Sequence, residues 1–298
     1  MTNQKKAYFL ALMAVITWST AASVFKITLR YINFYQLLFM ATMSSFILLL
    51  VLAHKKFVLL RNWHIRDYLN SAFLGFLNPF VYYFVLLKAY TLLPAQLAQP
   101  LNFIWPLMIV ILSVPILKQK ISRRSLLAII ISFLGVIIIS AKGNFTTFRV
   151  ESPLGVILAL SSSVAWALFW IYNQKNKQDA ILKLTINFAF ATAIVFLYET
   201  LTGNFEMHNL DYRGVLGAIY VGFFEMGITF VIWLKAMKLT KNTATITNLV
   251  YLTPFISLIF ISVLIKEKIL LSTLVGLVFI ISGIILQKKF GGKNAKIN

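Results

Sequence analysis

The sequence predicts an all-α integral membrane protein of ten transmembrane helices, arranged as two inverted five-helix repeats. Three observations predict it. Sixty per cent of the 298 residues are hydrophobic and only 12% are charged, and a water-soluble domain cannot hide that much apolar surface, because its outer face must meet water. Apolar runs of roughly 20 residues, enough to cross about 30 Å of hydrocarbon, follow one another almost end to end. The chain is also written twice: "LNFIWPLMIVILSVPILKQKI" at 101–121 returns 148 residues later as "LVYLTPFISLIFISVLIKEKI" at 249–269, with proline in the same register.

The runs place helices near 7–29, 34–53, 68–90, 94–117, 125–141, 153–172, 183–201, 214–236, 242–265 and 269–287. The connections are mostly four to fourteen residues, too short to hold a soluble domain. The first run has the basic start and small-residue end ("STAAS", 19–23) of a cleaved leader. It also has a counterpart in the second half, so it is expected to be a retained helix.

At an offset of 148, Trp18 matches Trp166, Pro106 matches Pro254, Lys118 matches Lys266 and Gly135 matches Gly283. Lys88 and Ala89 match Lys235 and Ala236 at 147. The units are therefore 1–148 and 149–298. Five spans are an odd number, so the second unit enters the membrane from the opposite side, as in secondary transporters built from inverted repeats.

With the N-terminus inside, 20 of the 28 basic residues fall on the cytoplasmic side and eight at the outer ends. That bias places both termini in the cytoplasm, in a bacterial cytoplasmic (inner) membrane. The net charge of +20 comes from lysines capping apolar runs, which excludes nucleic acid as a partner. There is no cysteine, and His54, His64 and His208 lack metal-ligand spacing, so neither a metal nor another cofactor is expected. With no phosphate loop, Gly-x-Ser-x-Gly or His-Glu-x-x-His, the chain is not expected to be an enzyme or an ATP-driven pump acting alone.

Polar residues at membrane depth turn towards protein or water. In the fourth span Gln96, Gln99, Asn102 and Pro106 share one stripe, and in the ninth Thr245, Thr247, Asn248 and Tyr251 cluster over the corresponding turn. Hydrogen bonds between helices would account for single members of these stripes. Pro106 and Pro254, each near mid-span, are candidate hinges, with a static kink as the alternative. Glu225, in "YVGFFEMGITFVIW", is the one acid placed deep in a span. It is a candidate proton-coupling site or ammonium contact; the bland alternative is a bond to Asn78, Lys26, Lys88 or a carbonyl.

The stretches "KAYTLLPAQLAQPLNFIWPLMIVILSVPILKQKIS" and "KAMKLTKNTATITNLVYLTPFISLIFISVLIKEKIL" resemble the duplicated core of the drug/metabolite transporter (DMT) superfamily, in its EamA-type ten-helix form. "LNFIWP", "ITWST" and "AWALFWIYNQK" are similar to the branch of the aromatic amino acid exporter YddG. The resemblance covers the whole chain. It departs where many relatives carry a glycine–acid pair: this chain has Lys118–Gln119, and only the second half keeps the acid, as Glu267. An arginine common in the second span is missing too.

The resemblance implies a central cavity between helices 1, 3, 4, 6, 8 and 9. The candidate substrate-binding residues on these helices are Trp18, Asn78, Tyr82, Gln99 and Asn102 from the first half. Trp105, beside Asn102, joins them, together with Trp166, Glu225, Asn248 and Tyr251 from the second. Most aromatic residues are explained by the membrane interfaces. Trp105 is not, and an aromatic wall with a few amides suits an amphipathic amino acid or amine. The expected activity is secondary transport of such small metabolites by alternating access, with export implied by the resemblance and the proton as candidate coupling ion. The lipid bilayer is the obligate surrounding, and the chain is read as a monomer or homodimer. The competing reading is a non-transporting scaffold or lipid-binding subunit on the same fold.

Overall fold

The computed structural model describes residues 2–118, 122–142, 152–173, 178–208, 210–240, 246 and 248–291. Among them every regular element is helical. The membrane helices of the first half are α1 (Asn3–Thr28), α2 (Phe34–Ala53), α3 (Ile65–Leu92), α4 (Ala95–Leu117) and α5 (Arg123–Ser140). Those of the second are α6 (Pro153–Asn173), α7 (Ala180–Leu201), α8 (Tyr212–Leu239), α9 (Leu249–Leu264) and α10 (Leu271–Gly291). Among the described residues nine helices are long and apolar enough to cross a bilayer. The shorter α9 is described from Leu249, and the expected polar residues Thr245 and Thr247 lie outside the described residues.

Local chemistry sets the helix starts, because the first amides of a helix lack intrahelical partners. Asn33 and Gln36 form a reciprocal capping box at α2, each bond 2.9 Å long. Asp179 accepts from the amides of Ile181 and Leu182 at 3.0 and 3.1 Å to start α7. Partial burial pushes its carboxyl up, but Lys56 at 2.7 Å and the two amides outweigh this and hold it below the usual carboxylate range.

Which helices touch reveals the inverted repeat. Helix α1 packs on α8 and α9, and α6 packs on α3 and α4. Where α3 meets α7, α8 meets α2, while α2–α7 and α5–α10 pair across the centre. Each of these contacts has its image when the halves are exchanged, as one pseudo-twofold axis in the membrane plane requires.

The α5–α10 crossing carries that symmetry to single atoms. Ser132 Oγ donates to the Ile280 carbonyl at 2.9 Å, between residues 148 apart. A Cβ on Gly135 would lie 2.4 Å from the Gly276 carbonyl oxygen, and one on Gly283 would lie 2.5 Å from that of Ala128. Positions 135 and 283 are repeat mates, as are 128 and 276, so one contact occurs twice. Small residues here let two backbones touch, which drives helix association in lipid. Gly283→Val should therefore destabilise the protein by about 1–3 kcal/mol through overpacking, read as earlier thermal unfolding in detergent. An unchanged transition would mean that the crossing is not as close as described.

Three helices are interrupted in mid-span and a fourth starts irregularly, and the sequence pattern showed none of this directly. Helix α3 opens into a π segment at Phe76–Val81, with Asn78 at φ −152° and ψ 118°. Pro79 accounts for it, since the residue before proline is driven out of the helical region. Helix α8 opens likewise at Val221–Gly227 without a proline. Asn78 and Glu225 are 147 apart, so the two breaks are equivalent. Helix α4 breaks after Asn102, and α9, as described from Leu249, begins as a 3-10 turn, Leu249–Leu252. This corrects the expected proline kinks: Pro106 and Pro254 each sit in the first turn of the segment after the break. There a missing N–H costs nothing, so the prolines restart helices and do not bend intact ones.

Lys118 and Lys266, also repeat mates, both adopt left-handed backbone just past these segments, at φ 54° and 57°. Glycine reaches that region without penalty, which explains the glycine expected at this place from the resemblance.

Candidate functional site

Between the halves lies a cavity of ≈ 310 Å³ lined by α1, α3, α4, α6, α8 and α9. Seven candidate residues face it: Trp18, Tyr82, Gln99, Asn102, Trp105, Trp166 and Glu225. The other three do not. Asn78 is buried at the α3 break, with its Oδ1 unpaired. Asn248 is exposed and accepts a hydrogen bond from Lys288 Nζ, which also lies 6.0 Å from the Tyr251 ring. From α9 it is Val250 and Thr253 that reach the cavity. They are the mates of Asn102 and Trp105 at 148, so the correct register was available in the repeat.

Symmetry shapes the wall while chemistry breaks it. Trp18 and Trp166 are mates and both line the cavity, as do Leu86 and Trp233 at 147. Trp18 packs on Phe230 and Trp233 at 5.6 and 5.5 Å, and Trp166 on Tyr82 and Phe230 at 4.6 and 5.7 Å. Asn102 is held by Tyr82 Oη, which donates to Oδ1 at 3.3 Å, and donates through Nδ2 to Ser162 Oγ at 2.8 Å. Tyr90 Oη donates to Gln99 Oε1 at 3.0 Å. Trp170 and Trp233, which the sequence did not single out, belong to the wall.

Glu225 sits inside the π segment of α8. Its backbone carbonyl accepts from Trp18 Nε1 at 3.3 Å, and Tyr83 Oη donates to its Oε1 at 3.2 Å. Its Oε2 has no partner. The partners expected from the sequence go elsewhere: Lys26 donates to the Tyr90 and Leu93 carbonyls at 2.8 and 2.9 Å, and Lys88 lies 4.9 Å over the Phe34 ring. No lysine or arginine lines the described cavity.

One end of the bundle, where α3 meets α4 and α9 meets α10, is laced by hydrogen bonds. Tyr90, 1% exposed, packs on Phe25 at 5.3 Å. Glu267 accepts from the first amides of α4, Ala95 and Gln96, at 3.0 and 3.1 Å. Gln96 turns away from the cavity, against the stripe reading, and binds the α9–α10 connection: Nε2 donates to the Lys268 carbonyl at 2.8 Å, and Oε1 accepts from the Leu270 amide at 2.9 Å. The repeat mates of Lys26, Gln96 and Glu267 are Gln174, Ala244 and Gln119, none charged. These three lie outside the described residues.

The sequence pattern of the EamA-like transporter family matches residues 5–141 and 153–287. The chain is 26% identical over 293 residues to the uncharacterized transporter YvbV of Bacillus subtilis (strain 168), covering 96% of this chain and 92% of that protein. It is 23% identical over 285 residues to an uncharacterized transporter of Archaeoglobus fulgidus, covering 94% and 97%. A crystal structure 16% identical in sequence superposes with a TM-score of 0.66 over 98% of this chain and 99% of that one, a likeness of fold alone. With both halves matched, this chain belongs to the EamA-like transporter family and is a multi-pass membrane transporter.

Proposed function

We propose that the chain moves small amphipathic amines and amino acids, outward across the bacterial cytoplasmic membrane, by alternating access. The observation that carries this is Glu225: an acid with one oxygen unpaired among the described residues, in an aromatic-walled cavity with no basic residue in its described lining. A carboxylate among tryptophans recognises an ammonium group by charge and by cation–π attraction, and the wall takes an apolar body. A cavity of this size is in the small-molecule range. The resemblance to the exporter branch supports amino acids and outward movement, and the basic-residue bias supports cytoplasmic termini.

Purified protein in liposomes tests the proposal with tryptamine, L-tryptophan, L-leucine and L-glutamate, with and without a pH gradient. Uptake of the first three well above that of glutamate is expected. Faster flux of glutamate than of any aromatic ammonium compound would overturn it. A rate that follows the imposed pH gradient would assign the proton as coupling ion.

A further inference from the structure

Along α3 two tyrosines hold two cavity side chains of different kind. Tyr83 Oη donates to Glu225 Oε1 at 3.2 Å, and Tyr90 Oη donates to Gln99 Oε1 at 3.0 Å. Both tyrosines belong to the regular helical segment Tyr82–Leu92, seven residues apart. Seven residues make two turns, about 10.5 Å of rise, and return nearly to the same face. Leu86 lies between them and lines the cavity. The repeat mates of the tyrosines at 147, Phe230 and Met237, carry no hydroxyl. The pair is therefore not a requirement of the inverted repeat.

What each tyrosine leaves over is opposite in kind. An ionised carboxylate only accepts, and Glu225 Oε2 has no partner among the described residues. Gln99 has its amide oxygen engaged by Tyr90, while its Nε2 donates to no described residue. Both side chains line the cavity. Asn102, by contrast, is engaged through its oxygen by Tyr82 and through its nitrogen by Ser162. The described wall thus offers an anionic acceptor, an apolar gap and a neutral donor.

We infer that Gln99 is a specificity-determining residue, donating from Nε2 to a neutral acceptor at the far end of a cargo whose ammonium group sits on Glu225. The inference rests on the transport reading above and narrows its cargo to amines and amino acids with an ether, phenol or carbonyl oxygen across an apolar body. An α-amino acid carries its carboxylate on the same carbon as its ammonium group, so that carboxylate does not reach Gln99. An acceptor on its side chain does. A benzene ring with a two-carbon arm bridges the gap once a hydrogen bond of about 3 Å is added at each end. Tyr90 is the positioning residue: by taking the amide oxygen it leaves the N–H end for the cavity.

Equilibrium binding to the purified full chain compares 4-methoxyphenethylamine with 4-ethylphenethylamine, which share a shape and differ in the ether oxygen. An ordinary neutral hydrogen bond is worth about three- to tenfold in affinity. The parent should therefore bind the methoxy compound at least threefold more tightly. Gln99→Leu should bring the two to parity, with the loss falling on the methoxy compound. Gln99→Glu keeps an oxygen for Tyr90 but has no N–H, so it should lose the preference too. It decides the question if leucine strands Tyr90 Oη and the fold suffers. Tyr90→Phe should keep part of the preference, because the amide remains but is free to turn. A preference that persists in both Gln99 variants would hand the ether to an indole N–H of the wall and overturn the assignment. Parity in the parent, with both amines bound and both lost in Glu225→Gln, would also overturn it and leave the transport reading standing. If the parent binds neither amine, the transport reading fails and this inference falls with it.

Discussion

Glu225→Gln should lower transport at least tenfold while the protein still inserts and purifies. The amide keeps the shape of the side chain and its bond to Tyr83 Oη but removes the charge. A neutral amide is also easier to bury than a carboxylate, so the fold should not suffer. A charge contact in a sheltered site is worth about 1.5 kcal/mol or more, and 1.4 kcal/mol is already tenfold. Glu225→Asp should fall between, because the charge stays and the reach shortens. Tyr83→Phe separates anchoring from recognition: it removes one donor and should cost far less than the loss of charge. If Glu225→Gln transports at the parent's rate with its pH dependence intact, Glu225 has no part in the mechanism.

The second large effect should come from Glu267. Its carboxylate holds two amides at the start of α4, and hydrogen bonds to a charged group contribute about 1.5–3 kcal/mol each. Glu267→Ala removes both, which should raise the population open at that end by tenfold or more. The chain has no cysteine, so Leu86→Cys on the cavity wall makes a single reporter. Its labelling by a membrane-impermeant thiol reagent, in right-side-out and inverted vesicles, reads which mouth is open. The alanine variant should label at least tenfold faster from the laced end, which the proposed topology makes the outer one. Unchanged labelling from both sides would show that Glu267 does not control access. Faster labelling from the cytoplasmic side would reverse the orientation.

Much of this was legible in the sequence, because lipid leaves few solutions. Apolar runs placed nine helices and the end of α9 to within a few residues, while the start expected for α9 at 242 lies outside the described residues, and the offset of 148 tied Trp18 to Trp166 and Gly135 to Gly283. Glu225 stood out because an acid at that depth is costly. What was not legible is where backbone hydrogen bonding departs from the regular helix. No periodicity announces a π segment, and the α8 break lacks even the proline that marks the break at Asn78. Gln96 follows the hydrogen-bonding alternative for its stripe and turns towards protein. The amide and carbonyl groups of the α9–α10 connection needed partners at the same depth, and that demand won. Asn248 lies off the cavity as its repeat mate Pro100 does, whereas Tyr251 lies off it although its mate Phe103 lines it, so the repeat register marks Val250 and Thr253 without excluding Tyr251.

The crossing of α5 and α10 has a consequence for how the cycle can run. If the two mouths open in turn because the halves trade conformations, that trade carries α5 onto α10 and the crossing onto itself. Whatever lies on the exchange axis looks the same before and after, so this pair, like α2–α7, is an invariant of the motion, a keel about which the lining helices tilt. An invariant must also satisfy both halves at once: a change tolerated at Gly135 in one state meets the environment of Gly283 in the other. The two glycines then behave as a single position written twice, and a side chain added at either should hinder both openings equally, unlike a change at Glu267, which biases one.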